Sequence, residues 1–200
     1  MYIMRQARPN AKATAKQASH ERIVAVAARA IRKTGYDGTG VADIMKQAGL
    51  THGAFYAHFA SRDAMLAEAA DRAGAESVAA AADVVAHASP AQALAAMLRA
   101  YLSKAHVAHP ELGCPAAALG SEMPRQAPEV RRAATRRIKE MVDLVARQSP
   151  DWGQPGAHEQ ALVTVATMVG AVVLARAVDE PGLSDAICQA ALAHLVPQQV

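Results

Sequence analysis

The stretch TGVADIMKQAGLTHGAFYAHFASR, residues 39–62, decides how the chain is read. Val41, Ile44, Met45 and Ala48 fall on one face of a short helix. Gly49 permits a tight turn, and Leu50 follows it toward a small core. Thr51 is a good N-cap for a second short helix over 52–58. Phe55 and Phe59 stand four apart and bury together, so Ala54, Tyr56, Ala57 and His58 cannot all face inward. Helix, Gly-containing turn and helix are the layout of a helix-turn-helix, whose second helix lies in the DNA major groove.

Working outward, Ser19 is read as the start of the preceding helix, with Ile23, Val26, Ala27, Ala30 and Ile31 at helical spacing and Gly35 as a left-handed cap. Residues 1–18 are polar and basic and contain Pro9, so they are assigned to a flexible basic arm. Ser61 caps a long Ala-rich helix to about Val85. Further helices are expected from Pro90 to about His106, around 115–122, over 129–148, and as a final pair, 157–179 and 183–195. No stretch shows sustained period-two alternation, so the fold class is all-α. The domains follow as an arm 1–18, a helix-turn-helix domain 19–60 and a larger helical body 61–200.

Charge is unevenly placed. The 200 residues carry 21 Lys/Arg and 18 Asp/Glu, a formal +3. Residues 1–60 hold nine basic and three acidic residues, net +6, leaving net −3 for the remainder. A basic front on an acidic body points to a polyanion partner for the front alone. Two widely spaced cysteines, Cys114 and Cys188, do not make a disulfide scaffold and fit a reducing cytosol. No signal peptide is read at the N-terminus. The charge-free apolar stretch Ala161–Ala175 is shorter than the roughly 20 residues that span a bilayer. The chain is therefore expected to be cytoplasmic, with no membrane partner.

Ala161–Ala175 is apolar nearly all round, and such a helix needs cover on more than one side. A second copy of the chain is the natural source, with Ala161, Val165, Ala166, Val169, Gly170 and Val173 as the expected dimer interface. A central helix buried within one chain is the other reading.

Residues 20–66 resemble the DNA-binding domain of TetR-family transcriptional repressors. The pattern stands here as Gly35-Tyr36, Thr39-x-Val41-x-x-Ile44, Ala48-Gly49-Leu50-Thr51, Gly53-x-Phe55-Tyr56-x-His58-Phe59, Ser61-Arg62 and Leu66. The resemblance implies an all-α chain of about nine helices, dimerised through its last two long helices. It also implies a ligand cavity in the body and release from a palindromic operator when a small-molecule effector binds. Two positions depart from the pattern. Gly40 replaces a hydroxyl residue, which leaves Thr39 or a backbone amide to serve. His52 replaces a lysine with a weaker, pH-dependent cation.

The expected DNA contacts are Thr39, Thr51, His52, Gly53, Ala54, Tyr56, Ala57, His58 and Arg62. Tyr and His offer donors to phosphate oxygens, Ala54 or Ala57 suits a thymine methyl, and His52 is the best side chain for a base edge. Arg62 is read as a phosphate clamp, with Lys12, Lys16 and Arg22 as lesser candidates. The flexible Met97, Met123, Met141 and Met168, with Tyr101 and Cys114, are the expected ligand-binding residues. Cys114, in a Gly-Cys followed by a small-residue helix, also resembles electrophile- or oxidant-sensing cysteines of some family members, an alternative switch. Cys188 is read as core. His106, His109 and Cys114 match no usual zinc spacing, so no metal or other cofactor is expected. No Ser-His-Asp grouping, carboxylate pair or phosphate loop is found, so an enzyme is not expected.

Overall fold

The computed structural model describes residues 11–149 and 151–196. They form nine α-helices and several 3₁₀ turns, with no strand among the described residues. α1 (Ala11–Thr34) and α2 (Val41–Gln47) lead into a 3₁₀ helix, His52–Ala57. The long α3 (Arg62–His87) runs on into the body of α4 (Ala93–Tyr101), α5 (Lys104–Ala108) and α6 (Pro115–Leu119). α7 (Pro128–Ala146), α8 (Ala157–Ala177) and α9 (Pro181–Leu195) complete it.

Three sequence expectations are corrected. Residues 11–18 are not a flexible arm, and Ser19 does not start a helix: α1 begins at Ala11 and passes through Ser19. Ala, Lys and Gln between Pro9 and Ser19 are good helix formers, and nothing among them stops the helix. Residues 1–10 of the arm lie outside the described residues. The segment from Pro90 to His106 breaks at Leu102–Ser103, where the Ser103 hydroxyl accepts from the His106 N–H at 3.2 Å and caps α5. Finally, 52–58 is a six-residue 3₁₀ helix to Ala57, not an α-helix. With Gly53 in its first turn, so short a piece has little α-propensity to resist the tighter winding.

Thr51 stands at the N-cap position of the 3₁₀ helix, but its side chain makes no capping hydrogen bond; the signals at Gly35, Gly49 and Ser61 hold. Gly35 sits at φ 79° and closes α1, and a Cβ there would also stand 2.6 Å from Glu122 Oε1. Gly49 turns the chain at φ 71°. Ser61 accepts the Ala64 N–H at 3.0 Å and caps α3. Two apolar clusters run through the molecule. The first joins Ile23, Ile31, Tyr36, Ile44, Phe55 and Phe59 to Leu66 of α3, and it also takes in Leu119 and Val130 from the body. The second lies within the body, among α3, α4 and α6–α9. The helix-turn-helix therefore shares its core with the body instead of hanging from it.

α3 crosses α7 closely. A Cβ at Gly74 would stand 2.4 Å from Arg137 Cβ, and Asp71 accepts two bonds from Arg137 at 2.7 Å. The Arg137 guanidinium holds the Asp71 carboxyl below its usual range.

α8 is longer than its charge-free stretch suggested. By length and composition it passes as a bilayer-crossing helix, yet it packs against α5, α6, α7 and α9.

Candidate functional site

The 3₁₀ helix presents a mixed surface. Phe55 and Phe59 are buried and stacked, with ring centroids 5.6 Å apart, and hold the segment on the core. Thr51, His52, Gly53, Tyr56 and Ala57 are exposed, and Ala54 is half-buried. Tyr56 is 74% exposed, which puts its hydroxyl in reach of a partner. His58 is more inward than expected. Its Nδ1 is buried without a hydrogen-bond partner. Burial lowers its pKa, helped by His20 and Lys16, so it is neutral near pH 7. Lys16 of α1 is exposed, and His20 stacks on Phe59 at 4.5 Å. Arg22 is exposed, and the Lys12 side chain lies outside the described set.

Two expected contacts face the wrong way. Thr39 is 3% exposed, and its hydroxyl donates to the Gly35 carbonyl at 2.7 Å beside the Thr34 hydroxyl. A hydroxyl one residue before a glycine N-cap folds back onto the loop, so Gly40 caps α2 with no side chain. Arg62 is not a free phosphate clamp. Its guanidinium donates to the Tyr36 carbonyl and, at 3.4 Å, to that of Thr39, tying down the loop before α2.

In the body, a cavity of about 230 Å³ opens between α3, α6, α7 and α8, with walls that include Cys114, Met123 and Met141. Tyr36, from the helix-turn-helix front, also lines it. A second cavity, of about 320 Å³, has Met97, Tyr101 and Cys114 in its walls. Five of the six expected ligand residues thus border one cavity or both. Met168 borders neither and is fully buried in the body core. Cys114 stands between the two cavities as the N-cap of α6, with Pro115 as its first residue. Cys188 is buried, as read, and burial raises its thiol pKa. No metal-ligating cluster exists among the described residues.

Two links join this region to the front, and sequence reasoning missed both. Glu122 accepts the Tyr36 N–H at 2.9 Å, next to Met123 in the cavity wall. Arg32, counted as part of the basic front, is 3% exposed. It donates to the Gly113 carbonyl at 3.2 Å and to Glu76 at 2.7 Å. Only its position on the buried stripe of α1, one residue after Ile31, could have flagged it.

The expected dimer residues divide. Ala161 and Val165 are buried against their own chain, and Val165 and Val169 line the first cavity. Ala166 and Val173 are exposed and Gly170 is half-buried, on a face continued by Leu162, Val163 and Leu174. The 3.6-residue period separates the two sets, because 161, 165, 168 and 172 share the inner stripe.

Residues 23–69 match the family described as bacterial regulatory proteins, tetR family. Residues 90–182 match the transcriptional regulator LmrA/YxaF-like C-terminal domain. The chain is 34% identical over 170 residues to the uncharacterized HTH-type transcriptional regulator Rv0196 of Mycobacterium tuberculosis, covering 80% of this chain and 85% of that protein. A TetR transcriptional regulator from Chloroflexus aurantiacus superposes with a TM-score of 0.75 at 29% identity, covering 94% of this chain and 98% of that one. Reduced NemR of E. coli gives 0.75 at 19% identity, covering 89% and 95%, and shares the fold. The chain belongs to the TetR family of DNA-binding transcriptional regulators.

Proposed function

We propose that the protein is a homodimeric cytoplasmic repressor, released from a palindromic operator by a small-molecule effector that binds in the body. It acts by binding and not by catalysis. The observation that carries this reading is the position of Tyr36. Tyr36 lines the body cavity, its N–H is held by Glu122, and its carbonyl is held by Arg62 in the loop before α2. A ligand filling that cavity presses on the segment that positions the helix-turn-helix. It shifts the population toward non-binding states to the extent that it favours them. Thr51, His52, Gly53, Ala54, Tyr56, Ala57 and His58 form the proposed DNA face, with Lys16 as a phosphate contact. Thr39 and Arg62 act beneath that face by fixing the loop.

The outward face of α8, with Leu162, Val163, Ala166, Val173 and Leu174, supplies the proposed dimer contact, and Leu183 of α9 adds to it. Two such front domains would enter successive major grooves about 34–36 Å apart. A gel shift on the DNA upstream of the gene, with salt and effector titrations, tests the reading. Sequence-indifferent binding, or affinity unmoved by any ligand, opposes it.

A second reading has one observation in its favour: Cys114 borders both cavities, so a small electrophile or oxidant entering either meets the thiol. An unchanged response to electrophiles in Cys114→Ser excludes it.

A further inference from the structure

The cavity of about 230 Å³ between α3, α6, α7 and α8 has a single charged side chain in its wall, Arg137 of α7. No Asp, Glu, Lys or His borders it among the described residues. Arg137 is already committed. It donates through Nε and Nη2 to the two carboxylate oxygens of Asp71, each at 2.7 Å, and through Nη1 to Glu140 at 2.7 Å. Arg136 donates to Asp71 as well, so two guanidinium and two carboxylate groups cancel. An anion in this cavity meets no uncompensated cation, and a cation finds no carboxylate in the wall.

The rest of the wall is largely apolar, with Ala70, Val78, Ala134, Met141, Val165 and Val169 among its residues. Its uncharged polar groups are few. The Tyr36 hydroxyl donates to the Met123 sulfur at 3.9 Å, and Tyr36 is fully buried. Ser77 is half-buried, and the Cys114 thiol has the Tyr101 hydroxyl beside it. The adjoining cavity of about 320 Å³ shares Ser77 and Cys114 with the first and adds no Asp, Glu, Lys or Arg. Its His106 is engaged at both nitrogens. Nδ1 lies 2.5 Å from the Tyr101 carbonyl, which can only accept, so that nitrogen carries the hydrogen, and Nε2 accepts the Cys114 N–H at 2.9 Å. His106 is thus neutral, and burial lowers its pKa in the same sense. Arg176 of α8 does not border either cavity and donates to the Val107 and His106 carbonyls at 3.1 and 2.6 Å.

A carboxylate or ammonium group moved from water into such walls loses its hydration and gains no partner, whereas an apolar skeleton gains by leaving water. An apolar cavity of about 150 Å³ holds benzene, so one of about 230 Å³ has room, in proportion, for about nine or ten non-hydrogen atoms. We infer that the cavity between α3, α6, α7 and α8 binds an uncharged, largely apolar molecule of that size and rejects carboxylates and ammonium ions of the same skeleton. The inference rests on the effector-binding reading for its regulatory meaning, but the site itself is tested without DNA.

The measurement is calorimetric titration and thermal shift of the full chain at pH 7 with two matched series. One is 1-octanol, octanoate and octylamine, and the other is 2-phenylethanol, phenylacetate and 2-phenylethylamine. In at least one series the alcohol should bind at least about ten-fold more tightly than both charged members, the penalty of burying an unpaired charge. Val169→Phe, which fills the cavity from α8, should weaken that alcohol at least about ten-fold, because the space it occupies is gone. Ala134→Leu, which fills it from α7, carries the test if Val169→Phe does not fold. Charged members that bind as tightly as the alcohols, no binding of either alcohol, or alcohol affinity unaltered in the cavity-filling variant overturns the proposal. Alcohol binding that leaves operator affinity unchanged would uphold the ligand class and overturn effector release through this cavity. Operator release by a charged compound, with neither alcohol bound, would spare the regulator reading and refute the ligand class.

Discussion

Replacing Arg32 with methionine tests the most specific link between front and body. Methionine keeps the buried stem and removes the charge and every donor. The bond to the Ala28 carbonyl lies within α1, one turn back, so its loss leaves no orphan. The Gly113 carbonyl does lose its donor in a buried position, a cost of about 1–3 kcal/mol. Glu76 loses one of two guanidinium partners but keeps Arg72 at 2.9 Å. Because its side chain is 40% exposed, solvent screening limits that loss to about 1 kcal/mol or less. The sum is about 1–4 kcal/mol, which for a chain of this length lowers the melting temperature by about 2–16 °C. Calorimetry or circular dichroism reads it directly, and a double-mutant cycle with Glu76→Gln separates the ion pair from the Gly113 bond. If Arg32→Met melts within about 2 °C of the wild type, the assignment of Arg32 as a strut is wrong, and its charge belongs with the DNA-facing set after all.

Other perturbations follow from the same geometry. Glu122→Ala should leave the Tyr36 N–H without its acceptor, cost about 1–2 kcal/mol, and weaken operator binding, while Glu122→Gln recovers most of both in melts and gel shifts. Tyr56→Phe should reduce operator affinity about 2–10-fold with the melting temperature unchanged, and a loss of fold instead would show that Tyr56 is structural. Leu174→Glu on the outer face of α8 should yield monomers in sedimentation, since the contact repeats across a two-fold axis, and an intact dimer would place the interface elsewhere. Lowering pH should destabilise the fold in two windows. His58 and His106 have lowered folded pKa values, so their stabilisation is present above the ordinary 6.5 and is lost as pH falls through it toward the folded values. Asp71 and Glu76 are also lowered, so theirs persists above about pH 4.5 and is lost in more acid solution. His106→Gln should flatten the upper window in a melting profile against pH, and an unchanged slope there refutes the neutral assignment.

Much of the fold was legible because its signals are local. Gly35 and Gly49 mark turns, Ser61 caps α3, and the apolar period of 23–31 and 41–48 marks which faces are buried. The aromatic pair Phe55 and Phe59 identified the motif for the same reason, since spacing alone decides that they share a face. The extent of α1 was less legible, because a run of Ala, Lys and Gln reads as either a solvated helix or a loose arm until it has something to pack against.

The sequence by itself determined the all-helical class, the helix-turn-helix and its family pattern, because each depends on residues close together along the chain. Only the tertiary structure decided what the polar residues do there. Thr39, Arg32 and Arg62 look like surface groups for DNA until α1, α3 and the loop between α1 and α2 enclose them and fix their hydrogen bonds. The grouping of Tyr101, His106, Cys114 and Arg176 spans α4 to α8, and no spacing rule relates residues so far apart. A helix period records which face is buried, whereas the partner of a buried charge is set by packing between elements, which the sequence does not write down locally.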